Sequence, residues 1–223
     1  MTPAVRRGAV AILAILCLQH PLAAQEFVTA PGQLNDEDFY RIVACAAPPG
    51  GTCQKQMIRW RQNALTVGIT RLDPAFLGGK KKRADVALDL AIDEINAAGA
   101  GIRLVRDDVD PDIPLLFLDM PARSTLRDTG IDVLDGTPIS AAGVRVFARD
   151  GVILKSVILV TRGLEKRAYE SVILEEITQG LGLMTDIGGT FYESRSIFSQ
   201  SSNALKKLGL QDRMALGRHY PAR

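Results

Sequence analysis

Apolar runs and the polar breaks between them divide this chain into a short series of elements. Residues 64–69 (ALTVGI) read as a first strand. Residues 84–98 repeat apolar positions at helical spacing, with Leu88, Ala91, Ile92 and Ile95 on one face and Asp85, Asp89 and Asp93 on the other. Gly99-Ala100-Gly101 ends that helix. Strands at 102–106 and 113–118 flank an acidic loop, 107–112. Strands at 144–148 and 152–160 flank Asp150-Gly151, a hairpin signal. A second helix begins near Tyr169, and an irregular tail follows. Strand, helix, strands, hairpin and helix, with no internal repeat, predict one α+β domain.

With 223 residues the chain is long enough for one domain with a proper core. Residues 1–24 read as an export signal: Arg6 and Arg7 with no acid, an apolar run over 8–18, then Leu22-Ala23-Ala24, with cleavage expected near Ala24. The run is about half the ~20 residues a membrane span needs, so stable membrane insertion is not expected and the location is periplasmic or secreted. Cys17 follows Ile15-Leu16, and a bulky residue directly before the cysteine makes a poor lipid-attachment site. Losing the leader takes two of the 27 basic residues and leaves the rest balanced against 25 acidic ones. A neutral chain has no electrostatic case for nucleic acid or an anionic membrane. The leader also carries off His20 and Cys17, leaving His219, Cys45 and Cys53. The two cysteines bracket the turn-rich AAPPGGT and read as one disulfide in an exported chain. The organisation expected is a leader at 1–24, an arm with a disulfide loop at 25–58, and a folded domain at 59–223. GGKKKR, residues 78–83, reads as a solvated basic loop. DDVDPD, residues 107–112, holds four acids without EF-hand spacing.

The chemistry concentrates in ILEEITQGLGL, residues 173–183. On a helix Glu175 and Gln179 share a face, Glu176 stands beside them, and Leu174, Ile177 and Leu181 lie on the opposite, core-facing side. Gly182 can stop the helix, after which Asp186 arrives on a loop.

EEITQGLGLMTD, residues 175–186, resembles the zinc-binding helix of metzincin metalloproteases, HExxHxxGxxH, often followed by Asp. In that pattern Glu176 takes the catalytic glutamate position, Gly182 the glycine and Asp186 the following acid. Glu175, Gln179 and Thr185 take the three histidine positions. SIFS, residues 196–199, is similar to the family's methionine turn with Phe198 in place of the methionine, and LQDRMALGRHY, residues 210–220, to its closing helix. The chain resembles still more closely an uncharacterised proteobacterial family of exported proteins, often labelled lipoproteins, a domain of unknown function carrying EEIAQGLGL, an acid, a SIF and a final Asp-bearing helix. YRIVACAAPPGGTCQ…RW, residues 40–60, extends that likeness over most of the chain. The resemblance implies a zincin-like fold, a twisted mixed sheet of four to five strands with a long helix and the motif helix. It brings no known activity.

Catalytic zinc wants about three nitrogen, sulfur or carboxylate ligands and an open water position. An amide and a hydroxyl do not supply them, and His219 is solitary, so no cofactor is expected. Glu175, Gln179 and Asp186 are weak candidates for a hard cation. Adjacent Glu175 and Glu176 point roughly 100° apart, which leaves Glu176 with Asp186 or Glu193 as the conceivable acid/base pair. The serines of SRSIFSQSS lack a histidine partner. The expected function is that of an exported, non-catalytic zincin-like module binding a protein or peptide through Glu175, Glu176, Gln179 and Asp186. The alternative is a hydrolase working through Glu176 with a non-zinc cation or none.

Overall fold

A computed structural model describes residues 27–222 and the backbone of Leu22–Ala23. The rest of residues 1–24, with Cys17, His20 and the expected cleavage site, lies outside the described residues. In chain order the elements are β1 (Leu22–Ala23), β2 (Phe27–Thr29), α1 (Asp36–Cys45), β3 (Ala64–Leu72), α2 (Gly79–Asn96), β4 (Arg103–Arg106) and β5 (Ile113–Leu118). Then come β6 (Ser124–Thr125), β7 (Pro138–Ile139), β8 (Ala142–Arg149), β9 (Val152–Thr161), α3 (Tyr169–Gly180), β10 (Asp186–Gly188) and α4 (Leu210–His219).

The α+β class holds. Five strands form a mixed sheet in the order β8-β9-β5-β3-β4, and the short β1 lies outside β8. From β9 to β4 the pairs are parallel, while β8 runs antiparallel to β9. β5 is buried along its whole length, which is why IPLLFL reads as a continuous apolar run rather than an alternating one. Its Ile113, Leu115 and Phe117 join the large core under the helices. Leu116 and Leu118 point the other way, into a smaller core with Leu126, Leu134, Val157 and Leu159.

Two local readings change. The basic run at 78–83 is not a loop: α2 begins at Gly79 and runs through it. Lysine and arginine are good helix formers, and Lys81 pairs with Asp85 one turn on at 2.7 Å. The arm holds a helix, α1, announced by an Asn35 side chain that accepts from the Asp38 N–H at 2.8 Å and by acids through its first turn. Phe39, Ile42 and Val43 of α1 are fully buried in the large core. Cys45 and Cys53 are bridged across a Cα–Cα distance of 5.1 Å.

The acids elsewhere serve the frame. Arg106 meets Asp85 at 2.7 Å, Asp89 at 2.8 Å and Asp108 at 2.9 Å, tying α2 to the end of β4. In the 107–112 loop, Asp107, Asp108 and Asp112 accept backbone N–H groups of Val109, Ile69 and Thr66 at 2.8–2.9 Å. Among the described residues no helix is long and apolar enough to cross a membrane.

Because Phe39 packs on Tyr192 and Phe198 rather than within a separate arm, Phe39→Ala is expected to lower global stability by about 3–5 kcal/mol. Urea unfolding should show this in a single transition. A small loss with exchange rising only around α1 would instead mark the arm as an independent unit.

Candidate functional site

The motif helix α3 is amphipathic as its spacing predicts, with Leu174, Ile177 and Leu181 buried. Three side chains from distant parts of the chain close its carbonyl end. Trp60 Nε1 and Ser156 Oγ donate to the Gly180 carbonyl at 3.0 and 2.8 Å, and the Tyr220 hydroxyl donates to Leu181 O at 2.5 Å. Gly182 then turns with φ +105, and a Cβ there would lie 2.1 Å from the Ile58 carbonyl oxygen. Only glycine fits both conditions. The turn returns the chain to the helix, where Gln179 Nε2 donates to Asp186 Oδ1 at 2.8 Å.

Glu175, Glu176, Gln179 and Asp186 all line one cleft of about 320 Å³, with Ala142 at the start of β8 and Ser199 on its walls. Thr185 does not join them. Its N–H donates to Val43 O at 3.2 Å, and it lines a separate hollow of about 310 Å³ with Ile58, Ala148, Gly182 and Met184. Successive residues of an extended segment face opposite ways, so the acid, not the third histidine position, reaches the site. Glu193 is also elsewhere, accepting from Ser201 Oγ at 3.1 Å. That leaves Asp186 as the only partner of the two for Glu176. Among the described residues no three His, Cys, Asp or Glu side chains converge to hold a metal ion. The hard-cation candidates therefore amount to two carboxyls and an amide, whose Nε2 donates to one of those carboxyls.

Burial pushes the Glu176 carboxyl up to about 8, reinforced by the charge of Asp186 and opposed by Arg145 and by a hydrogen bond from the Val144 N–H. Asp186 is pushed up to about 7 by burial, against the Gln179 hydrogen bond and the charge of Lys55. Glu175 is held well above the usual carboxylate range by burial and then by Asp186 and Glu176. The buried Arg145 guanidinium donates to the carbonyls of Val144 and Pro138 at 3.0 and 2.6 Å, so it compensates these acids only from a distance. Glu176 Oε2 and Ser199 Oγ are buried with no hydrogen-bond partner among the described residues.

Arg145, Ser199 and Asp212 were not among the expected site residues. Asp212 is fully buried and accepts from Ser196 Oγ at 2.6 Å, Ile197 N at 2.9 Å and Gly209 N at 2.7 Å. It thereby fixes the SIFS turn that carries Ser199. Its place in the first turn of α4, three residues after Gly209, was a usable signal. Burial raises it to about 6 in spite of those hydrogen bonds. His219 is structural. Its Nε2 lies 2.9 Å from Ile58 O and its Nδ1 3.2 Å from the Tyr40 hydroxyl, and burial lowers it to about 4, which keeps the ring neutral.

Searched against protein-family models and against curated proteins, the chain matches none.

Two expectations follow from this geometry. The cleft carboxyls bind protons more tightly folded than unfolded, so the stability they contribute is lost as pH rises through their folded values. Asp212 has completed its titration below that range, and His219 is neutral in both states there. Between about pH 7 and pH 9 the parent should lose stability, and Glu176→Gln should flatten the loss in urea melts. An unchanged slope would show that Glu176 is not buried as described. Second, the double change Glu175→His with Gln179→His sets two histidines one turn apart, facing Asp186. It should bind Zn²⁺ by calorimetry where the parent does not, with Asp186 as third ligand. A folded double variant with no gain would break the link between α3 and a metal-binding helix.

Proposed function

We propose that this chain is an exported, non-catalytic binding protein on a zincin-like frame, and that it holds an extended peptide along β8 with one residue delivered to the acidic cleft. The resemblance of residues 175–186, 196–199 and 210–220 supports the frame, since the motif helix, Asp186 after the glycine turn and Ser199 of the SIFS turn line one cleft, and Asp212 of the closing helix fastens that turn. The observation that carries the function is the outer edge of β8. Leu22–Ala23 pairs with it antiparallel, Leu22 opposite Val146 and Ala23 opposite Arg145. The edge therefore accepts an added strand, the backbone mode by which sheets take peptides. One position further on is Val144, whose N–H the Glu176 carboxyl already holds. A strand kept in this register leads straight to Glu176. In the other direction β8 runs to Ala148 and the hollow that Met184 lines. Cleavage near Ala24 would remove β1 and open the edge, so export and binding would be coupled.

The second reading is hydrolysis, and one observation favours it: Glu176 and Asp186 titrate near 8 and 7 in the same cleft, as an acid/base pair would require. Hydrogen exchange on the exported protein, with and without strand-forming peptides, separates the two. Binding should slow exchange over residues 142–149 with the peptide recovered intact. Peptide turnover that disappears in Glu176→Gln would establish the hydrolase instead, and no protection at β8 would remove the peptide reading.

A further inference from the structure

We propose that the cleft between α3, β8 and β10 is a receptor for a basic side chain, a guanidinium or ammonium group carried by the residue that a β8-bound strand presents opposite Val144. This rests on the peptide reading above for the source of the group, but the site itself stands on its own observations.

Three carboxyls, Glu175, Glu176 and Asp186, share one small cleft. Such clustering alone could reflect a hydrogen-bonded network, and part of it does: Gln179 binds Asp186, and the Val144 N–H binds Glu176. Two acceptors are left over. Glu176 is 8% exposed and Ser199 3% exposed, yet Glu176 Oε2 and Ser199 Oγ have no hydrogen-bond partner among the described residues, and both residues line the cleft. An orphaned buried acceptor is destabilising, a penalty that a donor-rich ligand would relieve. Guanidinium and ammonium groups are donors only, and a guanidinium presents its N–H groups in a planar fork able to serve several acceptors at once. Among the described residues the other charged groups facing these acids are Arg145 on β8, Lys55 on the loop before β3, and Asp212 on α4. Arg145 is turned onto backbone carbonyls, and Asp212 adds further negative charge. Burial first, and then their mutual repulsion, holds the carboxyls above their usual range, and they would ionise against an incoming cation. Side-chain direction agrees as well. Residues directly opposite in an antiparallel pair share a face, and Val144 belongs to the large core on which α3 packs. The ligand residue opposite it thus points toward α3.

The test uses two pairs of probes on the exported protein. n-Butylguanidinium is compared with neutral n-butylurea, followed by NMR of the Gln179 side-chain amide. Strand-forming peptides carrying arginine or neutral citrulline opposite Val144 are compared by calorimetry. The charged member of each pair should bind at least tenfold tighter, and Glu176→Gln should erase that preference. Ser199→Ala, which keeps all three acids, should weaken the guanidinium probe while folding as the parent does. Equal binding within the first pair, or none, overturns the site whatever the peptides do. Preference in the first pair with equal peptides overturns the peptide source and leaves β8 docking to be judged by hydrogen exchange. Ca²⁺ or Mg²⁺ shifting the Gln179 signals and displacing n-butylguanidinium would replace the proposal with a metal site.

Discussion

The carbonyl end of α3 is the point on which the site depends. A helix leaves its last carbonyls without intrahelical partners, and here that end is buried. Trp60 and Ser156 satisfy Gly180, and Tyr220 satisfies Leu181. Each such hydrogen bond nets about 1 kcal/mol, and leaving its acceptor bare would cost more. The donors come from the segment before β3, from β9 and from just beyond α4, so they also fix where α3 lies against the sheet. Gly182 completes the arrangement, because its backbone passes so near Ile58 that any side chain would collide. With the helix end held and the turn forced, Asp186 has one place to go, beside Gln179.

The cleft that results is charged in composition and nearly neutral in practice. Burial and mutual repulsion favour protons on its carboxyls, and the Arg145 guanidinium, whose charge opposes this at Glu176, donates to main-chain carbonyls. Asp212 plays a different part from the same chemistry. With three donors around it, it works as a buried fastener for the SIFS turn. Phe198 fills the space beneath, packed on Phe39 from α1. Phe198 thus contributes apolar volume to the core, and α1 supplies the other half of that contact.

Local order carried most of the fold. The Asp150-Gly151 turn between β8 and β9, the unbroken apolar run of β5 and the helical spacing in α2 and α3 are all short-range patterns, and the elements lie where those patterns place them. The start of α2 and the whole of α1 were harder to read. A basic run suits a loop or a helix turn equally well until Asp85 meets it through Lys81, and α1 offered a clear N-cap inside a stretch dominated by turn residues.

For the site, the chain order by itself determined which residues could share a face: Glu175 and Gln179 at one turn's spacing, with a glycine placed to end the helix. Helix geometry is local, so that much needs no partner. Tertiary structure alone decided that Asp186 and not Thr185 closes the cleft, that Glu193 stays outside it, and that Ser199 enters. These outcomes depend on the exit direction at Gly182, set by Ile58, and on the SIFS turn, set by Asp212. Both are contacts between residues far apart in the chain, and no local spacing encodes them. Burial decided the protonation of the carboxyls for the same reason, since desolvation belongs to the assembled cleft and not to any residue in it.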